Sequence, residues 1–218
     1  MKPVLTEQEL AEIRTRIEAA ERETAGEIVP YVVARSDDYE AVVWRGAAAA
    51  GALFLILTLL IYLFYDGWSL GWLYTGVGLA IGVVASFFIG TMLVLTTPRF
   101  FRLMAGASLM ERRVRARANR AFADERIYET ANRNGILIFV SVWEHRIEVV
   151  ADAGIIAQVA ASEWETVVST VADRLKRREL AAALSAGVDA CAEILKKGGL
   201  GPSDSDDNEL PNEAMIGE

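Results

Sequence analysis

Between Arg45 and Arg99 the chain runs for 53 residues with a single formal charge, Asp66. That charge divides two apolar runs, Gly46 to Tyr65 and Trp72 to Leu95. Each reaches the roughly 20 residues that a helix needs to cross a bilayer. Burying both as core helices would require a large protein around them, and the rest of a 218-residue chain is too small to supply it. The reading is therefore a transmembrane helical hairpin, with spans at about 46–65 and 72–95.

The flanks give an orientation. The turn Asp66-Gly67-Trp68-Ser69 holds no Lys or Arg, whereas Arg35 and Arg45 precede the pair and Arg99, Arg102, Arg112, Arg113, Arg115 and Arg117 follow it. Basic residues stay on the cytoplasmic side, so both termini are expected there, with the turn outside. Met1 to Glu23 is too polar for a signal peptide, which makes the hairpin internal. Arg45, Arg99, Arg102, Trp68 and Trp72 are the expected membrane-interface residues, and Pro98 to Leu103 an interfacial segment with Phe100 and Phe101 at the lipid boundary. Gly78, Gly82, Ser86 and Gly90 repeat every four residues along the second span. Such a ridge lets another helix approach closely. The first span is the nearer partner; a homo-oligomer through the same ridge is the other reading. Neither span holds an ionisable residue to mark an ion or proton path.

The soluble sequence is split by the hairpin. Thr6-Glu7-Gln8-Glu9 is a capping box that opens a helix along Leu10, Ile13, Ile17 and Ala20. Ile28 to Val33 reads as a strand, with Pro30 either at an edge or turned away from pairing. Asp38 is a plausible N-cap for the helix entering the first span. After the hairpin come a helix from about Met110 to Asn132, an apolar strand Ile136–Val142, a turn at Trp143–Arg146 and a return strand Ile147–Ala151. Ser162-Glu163-Trp164-Glu165 reads as a second capping box, and a last helix covers Glu179–Lys197. Residues 200–218 hold six acidic and no basic residues, and read as a disordered tail. One strand cannot form a sheet alone, so the segments before and after the hairpin must meet in one α/β domain. The domain boundaries expected are 1–38 and 106–199 for its two parts, 39–105 for the hairpin with its interfacial segment, and 200–218 for the tail.

Thr24-Ala25-Gly26-Glu27-Ile28, Arg133-Asn134-Gly135-Ile136-Leu137-Ile138 and Val150-Ala151-Asp152-Ala153-Gly154-Ile155, in this order, resemble the TPM-domain family. The resemblance covers about Leu5–Val33 and Ala121–Lys197, and the hairpin resembles that of the family's bacterial membrane branch. It implies an αβα domain around a small mixed sheet; with the hairpin, the protein is expected to be an integral protein of the bacterial cytoplasmic (inner) membrane with that domain in the cytoplasm. It also implies divalent-cation binding and, in some relatives, acid phosphatase activity. One position departs: the loop that often carries Gly-x-Gly begins here with Asp152.

Chemistry is sparse. If the first strand runs parallel to the Ile136 strand, then Glu27, Arg133, Asn134 and Asp152 share one sheet edge. Glu27 and Asp152 could then hold Mg²⁺ or Ca²⁺ through oxygen, with Arg133 and Asn134 as ligand-binding neighbours. Asp37 and Asp38 form a second metal candidate, for which capping is the competing reading. No hydrolase nucleophile motif is present, and no catalytic residue is assigned. The chain's one cysteine, Cys191, reads as core, and its one histidine, His145, as an exposed turn residue. Net charge is −8, and the arginine run Arg112–Arg117 lacks interleaved aromatics, so no nucleic-acid partner is expected. The partners expected are the lipid bilayer and a protein or membrane complex. The functional reading is a non-catalytic, membrane-anchored interaction or membrane-complex maintenance module; the alternative is a divalent-metal-dependent, acid-phosphatase-like hydrolase.

Overall fold

A computed structural model describes residues 5–64, 68–201 and 209–217. The chain divides into two compact units: one made of Met1–Asp37 with Glu111–Glu218, the other of Asp38–Met110.

The first unit begins with α1 (Glu7–Glu23) and β1 (Glu27–Val33). The capping box of α1 forms as expected: the Glu9 N–H donates to Thr6 Oγ1 (3.3 Å) and the Thr6 N–H to Glu9 Oε2 (2.7 Å). After the other unit the chain completes α5 (Ala107–Asp124), then forms β2 (Gly135–Ser141), β3 (Arg146–Ala151), the short α6 (Ala153–Ile156), α7 (Ala161–Lys176), α8 (Leu180–Lys197) and β4 (Met215–Gly217). Strand order is β3-β2-β1-β4, with β2 and β4 parallel to β1 and β3 antiparallel to β2.

Every residue of β1 and β2 is buried, as expected of apolar runs covered on both faces. Alternation sends Ile28, Val32, Ile136, Ile138 and Val140 into a core with Ile13 and Ile17 of α1, Val167 and Val171 of α7, and Leu184 and Val188 of α8. Val29, Tyr31, Val33, Leu137 and Phe139 form the opposite core with Val114, Ala118 and Ala121 of α5. The result is the expected αβα layering around a small mixed sheet.

Pro30 lies in an inner strand. The Glu27 N–H donates to Asn134 O on the β2 side (3.2 Å), so alternation turns the Pro30 nitrogen toward the β4 side. There, β4 pairs only with Tyr31, Val32 and Val33. Among the described residues the ring therefore removes no ladder hydrogen bond.

Four expectations are corrected in this unit and at its boundary. The helix expected to reach Asn132 stops at Asp124, and Arg126 takes a positive φ of 54°. This turn delivers Ile127, fully buried, to the α5 side of the sheet. α7 starts at Ala161 with Ala160 as its N-cap, so Ser162 lies inside the first turn and does not cap it. The residue preceding α2 (Glu40–Phe64) is Tyr39, φ 55°, rather than Asp38. The tail is not without structure. Leu210 and Met215 pack on the Phe139 core, β4 joins the sheet, and a side chain at Gly217 would run into the Tyr31 ring. Its apolar residues are too few and too irregularly spaced to show a period.

The second unit contains α2, a 3-10 segment (Trp68–Tyr74), α3 (Gly76–Thr96) and α4 (Pro98–Ala105). Over their most apolar 18-residue windows, α2 and α3 have mean hydropathies of 2.4 and 2.3, and only 17% of each window is buried. A core helix of a soluble protein would be mostly covered; these expose Leu, Ile, Val and Phe. Both are long and apolar enough to cross a membrane. They pack antiparallel through their small residues: Gly46 faces Val94, Gly51 faces Phe87, Gly82 faces Phe54, and Gly90 faces Gly46, Ala47 and Ala50. Gly78 is covered by the 3-10 segment at Trp72 and Leu73. Phe101 does not face lipid as expected: it is buried beside Tyr39, with ring centroids 5.4 Å apart and planes at 86°. Tyr65, Asp66 and Gly67 lie outside the described residues, as does the Trp68 side chain.

Ending the chain at Gly201 removes β4 together with Leu210 and Met215. The expected loss is about 1–2 kcal/mol of stability, read as a fall of a few degrees in Tm. Amide exchange at Val32, whose N–H points to the β4 side, should accelerate; unchanged exchange there would contradict the pairing.

Candidate functional site

Parallel pairing brings the first residues of β1 and β2 level, Glu27 beside Gly135. On the other side the Asp152 N–H donates to Gly135 O (2.9 Å). Glu27, Gly135 and Asp152 thus form one row across the sheet end, with Arg133 and Asn134 immediately before β2. All four side chains of the expected edge are brought to the same end. Glu27, Asn134 and Asp152 are buried.

Glu27 and Asp152 flank Gly135 in this row. The residue between them has no side chain, and a Cβ at Gly135 would meet the Ile127 backbone carbonyl. That carbonyl stands over the middle of the row. Each carboxylate also has partners in the chain. Glu27 accepts from the Glu209 and Leu210 N–H groups (3.5 and 3.3 Å), and the Glu209 carboxylate accepts from the Ala131 N–H (3.0 Å to its nearer oxygen). Asp152 caps α6 by accepting from the Ala153 N–H (2.6 Å). Its Oδ2 lies 3.0 Å from Arg133 Nε as an ion pair, with the N–H not aimed along a hydrogen bond. Arg133 in turn stands over the Tyr128 ring (5.8 Å). Gly154 is needed here, because a Cβ would strike the Asn132 and Arg133 carbonyls.

Asn134 locks the edge. Its N–H donates to Thr130 Oγ1 (3.0 Å), and its side-chain amide donates to the Ala25 carbonyl. Its Oδ1 is buried with no hydrogen-bond partner among the described residues.

A further carboxyl, unforeseen from sequence, belongs to this end. Glu21 accepts from the Ile28 N–H (3.2 Å). Burial, reinforced by the Glu27 charge and opposed by that hydrogen bond, pushes its pKa up to about 8. The signal was legible: Glu21 continues the buried Ile13–Ile17 stripe by one more step of four.

At the opposite end of the sheet, Asp37 pairs with Arg113 (2.9 Å). Asp37 and Asp38 fall on either side of the boundary between the two units. Glu144, also missed, is buried: it accepts from the Ser36 N–H (2.9 Å) and from the Ser141 hydroxyl. Arg35 stacks on Trp143 (4.5 Å). His145 is exposed in the turn at φ 52°. Cys191 is fully buried, and burial pushes its thiol up to about 12, which makes it inert as a nucleophile near neutral pH. Among the described residues no three His, Cys, Asp or Glu side chains converge as metal ligands. In the second unit, Arg45, Arg99, Arg102 and Trp72 are exposed.

The TPM-domain family matches residues 90–194. No curated protein matches the chain. The NMR structure of BA42 protein from the psychrophilic bacterium Bizionia argentinensis is similar in fold, with a TM-score of 0.61 at 18% identity, over 100% of this chain and 98% of that one.

Glu21 makes stability depend on pH. Its folded-state pKa lies above the unfolded carboxyl value of 4.5, so its contribution is complete below pH 4.5 and is lost as pH rises through about 8. Tm should fall between pH 5 and 9 by that route. Glu21→Gln, which keeps an acceptor for Ile28, should flatten the fall; an unchanged slope would contradict the assignment.

Proposed function

We propose that the protein is a membrane-anchored TPM-type module that acts by interaction, as in maintaining a membrane complex, rather than by hydrolysis. The observation carrying this reading is the occupation of its candidate edge by its own chain. Glu27 is engaged by two backbone N–H groups, Asp152 by a helix terminus and Arg133, and the Ile127 carbonyl separates them. A general base or a shared cation site would need these oxygens directed at a common point. The anchoring part rests on the two exposed apolar helices. The basic residues flanking them support insertion in a bacterial inner membrane with both termini in the cytoplasm.

A second reading, acid-phosphatase-like hydrolysis with Mg²⁺ or Ca²⁺, is supported by the family likeness and by the orphaned Asn134 Oδ1. A single assay separates the two. Full-length protein in detergent, given a small phosphomonoester with Mg²⁺ or Ca²⁺ titrated in, should show no turnover above the blank. Metal-dependent turnover that disappears in Asp152→Asn would establish the hydrolase instead.

Topology is tested by Ser69→Cys. A membrane-impermeant maleimide should label it in intact cells, against little background from the buried Cys191. Labelling only after lysis would reverse the orientation.

A further inference from the structure

The arginines that follow the hairpin divide into two groups. On α5, Arg113 is held by Asp37 (2.9 Å) and Arg115 by Glu148 (3.4 Å), so part of the basic run is committed to the α/β unit. In the hairpin unit, Arg45, Arg99 and Arg102 are exposed, and among the described residues none has an ion-pair partner within 4.0 Å. Long cationic side chains that a protein leaves unpaired are available to an anion from outside.

These arginines sit at one end of the hairpin. The Gly46–Val94 contact sets the start of α2 level with the end of α3, and α4 follows from Thr97. α4 turns Phe101 and Ala105 inward against Tyr39, Val42 and Val94. Arg99 and Arg102, three residues apart, share another side of the helix, and Leu103 beside them is 70% exposed. Trp44, next to Arg45 on α2, is also 70% exposed. Glu40 stands on the first turn of α2, and α4 itself holds no acid. Exposed Trp and Leu interleaved with unpaired arginines, where two apolar helices end, fit neither a protein core nor a fully hydrated surface. They match the headgroup layer of a bilayer: phosphate and anionic headgroups for the arginines, and the upper acyl region for Trp44 and Leu103.

We propose that Trp44, Arg45, Arg99, Arg102 and Leu103 form a binding surface for anionic phospholipid, with α4 lying in the headgroup plane. The proposal rests on the membrane-anchored reading above and adds a lipid preference to it. Free phosphate is not its ligand, because the apolar members of the surface would then stay in water.

The test uses full-length protein in detergent, titrated with fluorescent phosphatidylglycerol or with phosphatidylcholine of the same chain length. Phosphatidylglycerol should bind more tightly, with an advantage that shrinks as salt is raised. Arg99→Gln with Arg102→Gln should weaken phosphatidylglycerol binding about fivefold per arginine removed. Arg99→Lys with Arg102→Lys should retain most of it, which separates loss of charge from loss of fold. Inorganic phosphate should not compete. Equal binding of the two lipids, full preference in the Gln variant, loss in the Lys variant or competition by phosphate would each overturn the proposal. External labelling at Ser69→Cys and fractionation of lysed cells, in the same variants, tell the two failures apart. Labelling without lipid preference sinks only this inference, whereas protein recovered from lysed cells in the soluble fraction rather than with the membranes sinks the anchored reading on which it rests.

Discussion

The parallel pairing of β1 with β2 joins segments that lie on opposite sides of the apolar hairpin in sequence, Glu27 level with Gly135 and Val33 level with Ser141. A parallel pair needs a long crossover. Here the hairpin unit and α5 lie between the two strands, and the price is a large closure entropy that local contacts cannot offset. What compensates is burial: all residues of both strands are covered, with one core on each face. The pairing thus unites in one unit two segments that the apolar pair separates in sequence.

The same pairing decides what the candidate site can do. It brings Glu27, Asn134 and Asp152 to one sheet end and places Gly135 between the two carboxylates. A glycine at that point admits the Ile127 carbonyl, and so the row of acids is interrupted by backbone. The returning C-terminal segment supplies N–H groups to Glu27, while Arg133 and α6 take Asp152. Glu21 is left as the acid whose charge is hardest to accommodate, half-buried with the Glu27 charge nearby. Most polar groups at this end are satisfied within the chain, and the exceptions among the described residues are the buried Asn134 Oδ1 and Asp152 Oδ2.

Strong periodic signals were legible. The capping box of α1, the three main strands, the helical pair and the αβα layering all follow from local patterns that tertiary packing reinforces. Parallel β1–β2 pairing was conditional in the sequence, and the shared edge of Glu27, Arg133, Asn134 and Asp152 followed from it. The misses have physical causes. β4 is three residues long and gains its place only by adding to an existing strand. α7 enters through Ala160 without a side-chain cap, so the Ser162 pattern marks the wrong residue. For Phe101, amphipathicity alone does not say whether a helix buries its apolar face in protein or membrane; Tyr39 decides it. Glu21 is not distinctive in sequence because its partners, the Ile28 N–H and the Glu27 charge, come beside it only through tertiary packing.

The segments flanking the hairpin form one domain closed by β1 and β2. Asp37 and Arg113 lie side by side through their 2.9 Å ion pair, so a short glycine linker can replace residues 38–110. The most direct measurement is NMR of that shortened chain. A soluble, cooperatively unfolding domain is expected, with contacts between the Tyr31 and Phe139 rings, which stack at 5.8 Å in the full chain. A chain that unfolds without cooperativity, or a folded one lacking that cross-strand contact, would contradict it.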